Sequence, residues 1–319
     1  MITSFDDFSI SRLTFTFRAL EDFPLPAYKG STLRGAFGYA FKKAVCIARQ
    51  QKQCEKCILA ANCAYNYIFE TPRPSGAVVM RKYEKVPHPF ILWPPLTSQR
   101  MILAGQDLSF GLILIGRAHD YLPYFVLVMD ELASRGLGKE RGKCQLEQVM
   151  DSQGLVIYDQ KKRELLPAAT ESGADLIRRA GEVPDQVTLE FLTHLRLVRE
   201  KRIVRKLFFQ DLYRSLLRRL AILQRFHCGL TPVINFRGLI DQAAAIKTVA
   251  DETCWQESRR YSTRQKDYMS TSGLIGRITF SGDLMPFWPV LVLGSYVNAG
   301  KNTSFGLGRY RIIEENLQV

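Results

Sequence analysis

No stretch of this 319-residue chain approaches the about 20 uninterrupted apolar residues that a membrane-spanning helix needs, so a helical membrane protein is not expected. The first ten residues, MITSFDDFSI, hold two acids and no basic residue, so no secretory leader is expected, and the cytoplasm is the expected compartment. Histidine is scarce: there are four, and none lies between residues 31 and 70. A phosphate-binding P-loop is also missing. Such a loop places four residues between its glycines and closes on Lys-Ser or Lys-Thr, whereas here Lys301 follows directly on Gly300. Nucleotide hydrolysis is thereby set aside.

Positive charge is abundant. The net charge is +13 and the pI about 9.5, on a chain that is 46% hydrophobic and 24% charged, the balance of a globular protein. The excess is uneven, with +9 over residues 186–319 and +4 over residues 1–185. A basic domain attracts polyphosphate through counterion release, which makes nucleic acid the first expected partner and an anionic membrane surface the second. The length suffices for two domains, each with its own core.

The most distinctive stretch is Asn298 to Arg311, NAGKNTSFGLGRYR, where Gly300, Gly306 and Gly308 surround Lys301, Thr303 and Phe305. Glycine tolerates positive φ and close backbone approach, so a turn of this make-up can aim N–H groups at an anion. A purely structural turn fits the same residues. Elsewhere, Cys46, Cys54, Cys57 and Cys63 fall within 18 residues as Cys-x7-Cys-x2-Cys-x5-Cys. In a reducing compartment this pattern points to a structural zinc ion held by four thiolates, with an iron–sulfur cluster or free thiols as the alternatives.

Periodicity divides the chain into two similar halves. Leu13, Phe15 and Phe17 alternate with Thr14, Thr16 and Arg18 as in a half-buried strand. Ser31 is then placed to cap a helix with Leu33, Phe37, Phe41, Ala44 and Val45 on its core face, and with Arg34, Gly38 and Lys42 on a second stripe beside Tyr39 and Lys43. Gly35 and Gly38 weaken that helix by about 1 kcal/mol each, which implies close packing against them. Strands are expected over VVMRKYEKV, PFILW and residues 107–116, a helix over YLPYFVLVMDELASRGLG, and further strands over residues 142–159.

After a polar stretch the pattern restarts. A strand is expected over residues 187–197 and a helix over residues 207–227, with Leu212, Leu216, Leu220 and Leu223 facing the core and Arg214, Arg218 and Arg225 on another face. Strands over TCWQESRRYS and GLIGRITFSG, a helix over MPFWPVLVLGSYVNA, the glycine loop and a strand over RYRII complete it. The expected architecture is therefore α+β, two tandem ferredoxin-like (RRM-like, βαββαβ) domains over residues 1–160 and 186–319, joined by a linker at 161–185. The first domain carries the four-cysteine insertion and the second the glycine-rich loop at 298–308. A basic cleft between two such sheets would suit single-stranded nucleic acid.

The segments GSTLRGAFGYAFKKAVC, RYSTRQ with GLIGRITFSG, and GKNTSFGLGRYRI resemble the RAMP superfamily of CRISPR-associated proteins, in particular its endoribonucleases that process precursor crRNA. The resemblance implies one metal-independent cut per CRISPR repeat RNA by 2′-OH attack, leaving a cyclic phosphate and a 5′-OH, with no catalytic cofactor. Many relatives carry a general-base histidine in or after the first helix; this chain has none there. Tyr39, Lys42 and Lys43 then become the candidates at the scissile phosphate, with Lys301 opposite, although a solvated basic face accounts for the same residues. For RNA binding the resemblance points to Gly300, Lys301, Thr303, Phe305, Gly306 and Gly308, with Arg260 and Arg264 beside them. Arg34, Arg214 and Arg218 are further candidates; an ordinary basic surface is the alternative for every arginine. A non-catalytic RAMP subunit that binds crRNA within an interference complex remains a second reading, and an unrelated zinc-containing nucleic-acid regulator a third.

Overall fold

The alternation that begins the chain builds β1, Ser9–Ala19, with Leu13, Phe15 and Phe17 buried. In the computed structural model, which describes residues 5–51, 53–74, 85–262 and 267–313, β1 is the central strand of one of two units. That N-terminal unit comprises Ser9–Glu171 with Phe226–Gly229, and the C-terminal unit comprises Met1–Phe8, Ser172–Arg225 and Leu230–Val319.

The N-terminal unit follows β1 with helix α1, Gly30–Val45, strands β2, Phe90–Trp93, and β3, Asp107–Ile115, helix α2, Leu122–Arg135, and strands β4, Cys144–Asp151, and β5, Val156–Asp159. The antiparallel sheet runs β2-β3-β1-β4-β5. Its core is strongly aromatic. Phe37 of α1 sits with ring centroids 5.2–5.9 Å from Phe41, Phe69, Phe90 and Phe125, and burying one such ring stabilises by about 1.5–3 kcal/mol.

Helix α1 differs from expectation at both ends. It starts at Gly30, with Lys29 at the cap position and no capping side chain, so Ser31 lies inside the helix. The buried Lys29 amine donates to the carbonyls of Thr97 (3.1 Å) and Gln99 (2.7 Å), which fixes where the chain enters. At the other end Ala44 is exposed and Val45 packs only at the margin of the core, because Ala40 takes the buried place beside Phe37 and Phe41. Gly38 is tightly covered, since a Cβ there would meet Arg34 Nη1 at 2.8 Å and Phe69 at 3.2 Å; Gly35 faces open space. The stretch VVMRKYEKV lies mostly outside the described residues.

The C-terminal unit repeats the order. Helix α3, Gly173–Arg179, precedes strand β6, Gln186–Leu195, which leads to α4, Phe209–Leu223, whose Leu212, Leu216, Leu220 and Leu223 are fully buried. Residues 236–242 add a short helix. Then come β7, Lys247–Asp251, β8, Cys254–Gln256, the hairpin β9, Arg259–Ser262, and β10, Asp267–Ser270, strand β11, Gly273–Ser281, helix α5, Trp288–Val297, and β12, Tyr310–Ile313. The antiparallel sheet runs β7-β11-β6-β12, with β8 also pairing β11. The expected single strand over TCWQESRRYS is in fact two: TCWQ supplies β8, while RRYS turns away into its own hairpin. The edge strand is instead β7, which the alternation test misses because all five of its residues are exposed. Residues 161–185, polar in sequence, include a helix at Gly173–Arg179 capped by the Ser172 hydroxyl, which accepts from the Asp175 N–H.

Candidate RNA interface

In the C-terminal unit α5 ends at Asn298, whose φ of 59° turns the chain back and whose buried amide donates to the Leu307 carbonyl at 3.2 Å. The loop that follows is laid against the end of β6. Lys301 N–H donates to Arg196 O (2.9 Å), Gly308 N–H to His194 O (3.0 Å), Ala299 N–H to Gly308 O (2.8 Å) and Gly306 N–H to Thr303 O (2.9 Å). Thr193 joins both ends of the turn, donating its hydroxyl to Gly306 O and accepting from Arg309 N–H. Two glycines are required by close approach: Cβ atoms at Gly300 and Gly308, at φ of 78° and 70°, would lie 2.4 Å from Arg196 O and 1.8 Å from Ala299 O. The N–H groups of Gly306 and Gly308 are thus spent on shaping the loop, and Thr303 is buried within it.

This shape presents Lys301 to solvent and sets the half-buried Phe305 under Arg260, whose guanidinium lies 4.5 Å from the ring centroid. Arg260 also donates from Nη2 to Met269 Sδ at 3.6 Å, and burial pulls its pKa below the ordinary arginine value. Arg264 lies outside the described residues. The hairpin and neighbouring segments of this unit carry further arginine–aromatic pairs that periodicity did not single out. Arg259 lies 5.2 Å from the Tyr268 ring, which packs edge-on against the exposed Tyr261. Arg205 sits 4.5 Å over Trp255. Arg196, whose carbonyl holds Lys301, donates its guanidinium to the Ser270 carbonyl. The hint in sequence was the interleaving of arginine with aromatics in CWQESRRYS. Basic groups attract phosphates and aromatic faces accept stacked bases, the two contacts that bind single-stranded nucleic acid. On α4, Arg214 and Arg218 are exposed opposite the leucine face.

In the N-terminal unit Tyr39 and Lys43 of α1 are exposed, and Lys42 points its ammonium at the Tyr65 ring, 5.2 Å from the centroid. These positions, three and four residues apart, share one helix face. Arg34 is placed differently. Its guanidinium stacks 4.4 Å over Phe69 and 5.0 Å over Phe90, which makes it part of the aromatic core wall. All four histidines have polar neighbours: His88 with Thr71, His119 with Ser11, His194 with Gln256, and the buried His227 with Tyr67 and the Pro87 carbonyl. The cysteine segment follows α1. Burial pushes the Cys54 thiol up, against the Lys42 charge that lowers it and with Cys63 and Cys46 close enough to add to the rise. Among the described residues no group of three or more Cys, His, Asp or Glu side chains is arranged to hold a metal ion as it stands.

Comparison with known proteins bears on both units. The family model described as CRISPR-associated endoribonuclease Cas6 matches residues 189–310, which span β6 to β12 and the whole glycine loop. The AF_1859_N model, an N-terminal domain, matches residues 8–170. The chain belongs to the AF_1859_N family, whose model spans half of its length, and its C-terminal unit matches the CRISPR-associated endoribonuclease Cas6 model. An uncharacterized protein from Archaeoglobus fulgidus is 22% identical over 293 residues, covering 90% of this chain and 92% of the relative. Among solved structures, a Cas6 product complex shares the fold at TM-score 0.57 and 15% identity, over 95% of this chain and 99% of that one. Thermus thermophilus Cas6 gives 0.53 and 14%, over 96% and 99%. A partial Cas6-RT-Cas1–Cas2 complex gives 0.61 and 14%, over 98% of this chain; the match spans 47% of the larger chain, about half its length. The shared fold is mixed α+β with antiparallel sheets. Among the described residues no helix is long and apolar enough to cross a membrane.

Proposed function

We propose that this protein is a RAMP-type precursor crRNA endoribonuclease of cytoplasmic type, built from two ferredoxin-like domains, that binds a CRISPR repeat RNA and cuts it once without a catalytic metal. The observation that carries the reading is the coincidence, within one unit, of the Cas6 family match and the basic, aromatic surface around Lys301, Phe305 and Arg260. The shared four-strand arrangement, β2-β3-β1-β4 in one sheet and β7-β11-β6-β12 in the other, supports the tandem ferredoxin-like description.

In this reading the glycines give the loop its shape, Lys301 and Arg260 neutralise phosphates, and Phe305 with the tyrosines of the hairpin offers faces to bases. Tyr39, Lys42 and Lys43 act on the scissile phosphate. The lysine ammonium groups neutralise the charge that develops on the phosphorane, and Tyr39 hydrogen-bonds a reacting oxygen. The 2′-OH is the nucleophile: its oxygen bonds to phosphorus, the bond to the 5′-oxygen breaks, the 2′ proton passes to solvent, and the leaving oxygen gains a proton. A cyclic phosphate and a 5′-OH result.

The absence of histidine from residues 31–70 favours one second reading, a non-catalytic RAMP subunit that binds crRNA in an effector complex. Incubation of the full chain with its repeat RNA in EDTA separates the two. A single cut supports the nuclease; tight binding with intact RNA supports the subunit and overturns the nuclease.

A further inference from the structure

Residues 46–63 leave the end of α1 and return to the aromatic core at Tyr65 and Phe69. None of the described residues in this excursion is buried. Its larger apolar side chains face outward, with Ile58 97% and Ile47 82% exposed. Ordering a residue costs about 1–2 kcal/mol in backbone entropy, which the segment does not offset by burying a core of its own. The residues that do turn inward include all four cysteines, each half-buried, while Gln50, Gln53, Glu55, Lys56, Ala61 and Asn62 are exposed. The cysteines also sit at the corners of the path. Cys46 ends α1, Cys54 and Cys57 bracket a 3-10 turn closed by a bond from Cys57 N–H to Cys54 O (3.2 Å), and Cys63 closes a second turn over Ala60–Asn62. All four are free thiols.

We propose that Cys46, Cys54, Cys57 and Cys63 together hold one structural zinc ion that replaces the missing core of this segment. Four thiolates fill the tetrahedral shell of zinc and leave no open position, so the ion takes no part in chemistry. Binding releases the four thiol protons to solvent as four Zn–S bonds form, and the nearby Lys42 offsets part of the resulting negative charge. Since the thiols are not yet arranged to ligate, loading draws the two turns together. Because Cys46 directly follows α1, the ion would also fix the end of the helix that carries Tyr39, Lys42 and Lys43. This assignment stands whether or not the protein cuts RNA.

The test is metal analysis of the full chain purified from zinc-supplemented medium, followed by cobalt(II) substitution. The expected result is about one zinc per chain, cobalt spectra with the visible bands of a tetrahedral thiolate site, and loss of both in a Cys54→Ser, Cys57→Ser double variant. If that variant fails to fold, the wild-type chain still decides the matter: a mercurial reagent should release the zinc, and trypsin should cut after Lys56 faster once it is gone. Absence of stoichiometric zinc, iron with iron–sulfur absorption in its place, or zinc retained in the folded double variant would each overturn the proposal.

Discussion

The Arg260 guanidinium lies 4.5 Å from the centre of the Phe305 ring, which ties the hairpin formed by β9 and β10 to the glycine loop. Removing the charge in Arg260→Ala should weaken RNA binding and reduce the slope of log K against log salt by about one unit. Phe305→Ala should weaken binding by about tenfold with little change in that slope, since stacking is worth about 1–3 kcal/mol per base. Fluorescence anisotropy at several salt concentrations reads both. An unchanged slope in Arg260→Ala would take Arg260 out of the RNA path.

The Lys42→Ala, Lys43→Ala double variant should slow single-turnover cleavage by about a hundredfold, the usual loss when a group that stabilises transition-state charge is removed. Its RNA affinity should fall far less. Rapid-quench cleavage beside equilibrium binding makes the comparison, and normal cleavage would remove these lysines from the site.

Gly308→Ala should cost about 3 kcal/mol or more, because a Cβ at φ of 70° meets the Ala299 carbonyl at 1.8 Å. Gly35→Ala is the contrast. It faces open space within a helix, so the substitution should stabilise by about 1 kcal/mol. Denaturant melts of both variants test whether the loop or the helix has been read correctly.

Glu190 on β6 lies between Arg277 of β11 and Arg311 of β12 in the sheet register. Burial raises its pKa, but the hydrogen bonds from the two guanidiniums, at 3.1 and 2.5 Å, outweigh burial and hold the carboxyl below its ordinary value. A depressed folded pKa means that the ionised group stabilises the fold above the unfolded value, about 4.3, and that this contribution disappears as pH falls through the folded value. Glu190→Gln should therefore lower stability by about 1 kcal/mol at pH 7, with the gap to wild type closing in acid. Thermal melts from pH 7 down to about 3 follow the gap. A gap independent of pH would contradict the account.

Where burial imposes a period, the sequence could be read. The alternation of Leu13, Phe15 and Phe17, and the leucines of α4, lie where their spacing puts them. Strand β7 escaped because its five residues are all exposed, and the ladder to β11 rather than a buried face holds it in the sheet. The setting of Arg34 was hidden for a related reason: helical spacing identifies a stripe, but only the tertiary fold brings Phe69 and Phe90 under a guanidinium. The partnership of Arg260 with Phe305 joins residues 45 positions apart in sequence. Composition pointed to both, and folding made them neighbours.

In the proposed reaction the ribose 2′-OH of a CRISPR repeat RNA attacks the adjacent phosphate on this protein. The most direct measurement compares a repeat RNA with a copy bearing a single 2′-deoxy substitution at the cut, both in EDTA, with end-group analysis of the products. The account predicts one cut in the unmodified RNA that leaves a cyclic phosphate and a 5′-OH, with the deoxy copy bound equally well and intact. Cleavage of the deoxy copy, or products carrying a 5′-phosphate, would contradict it.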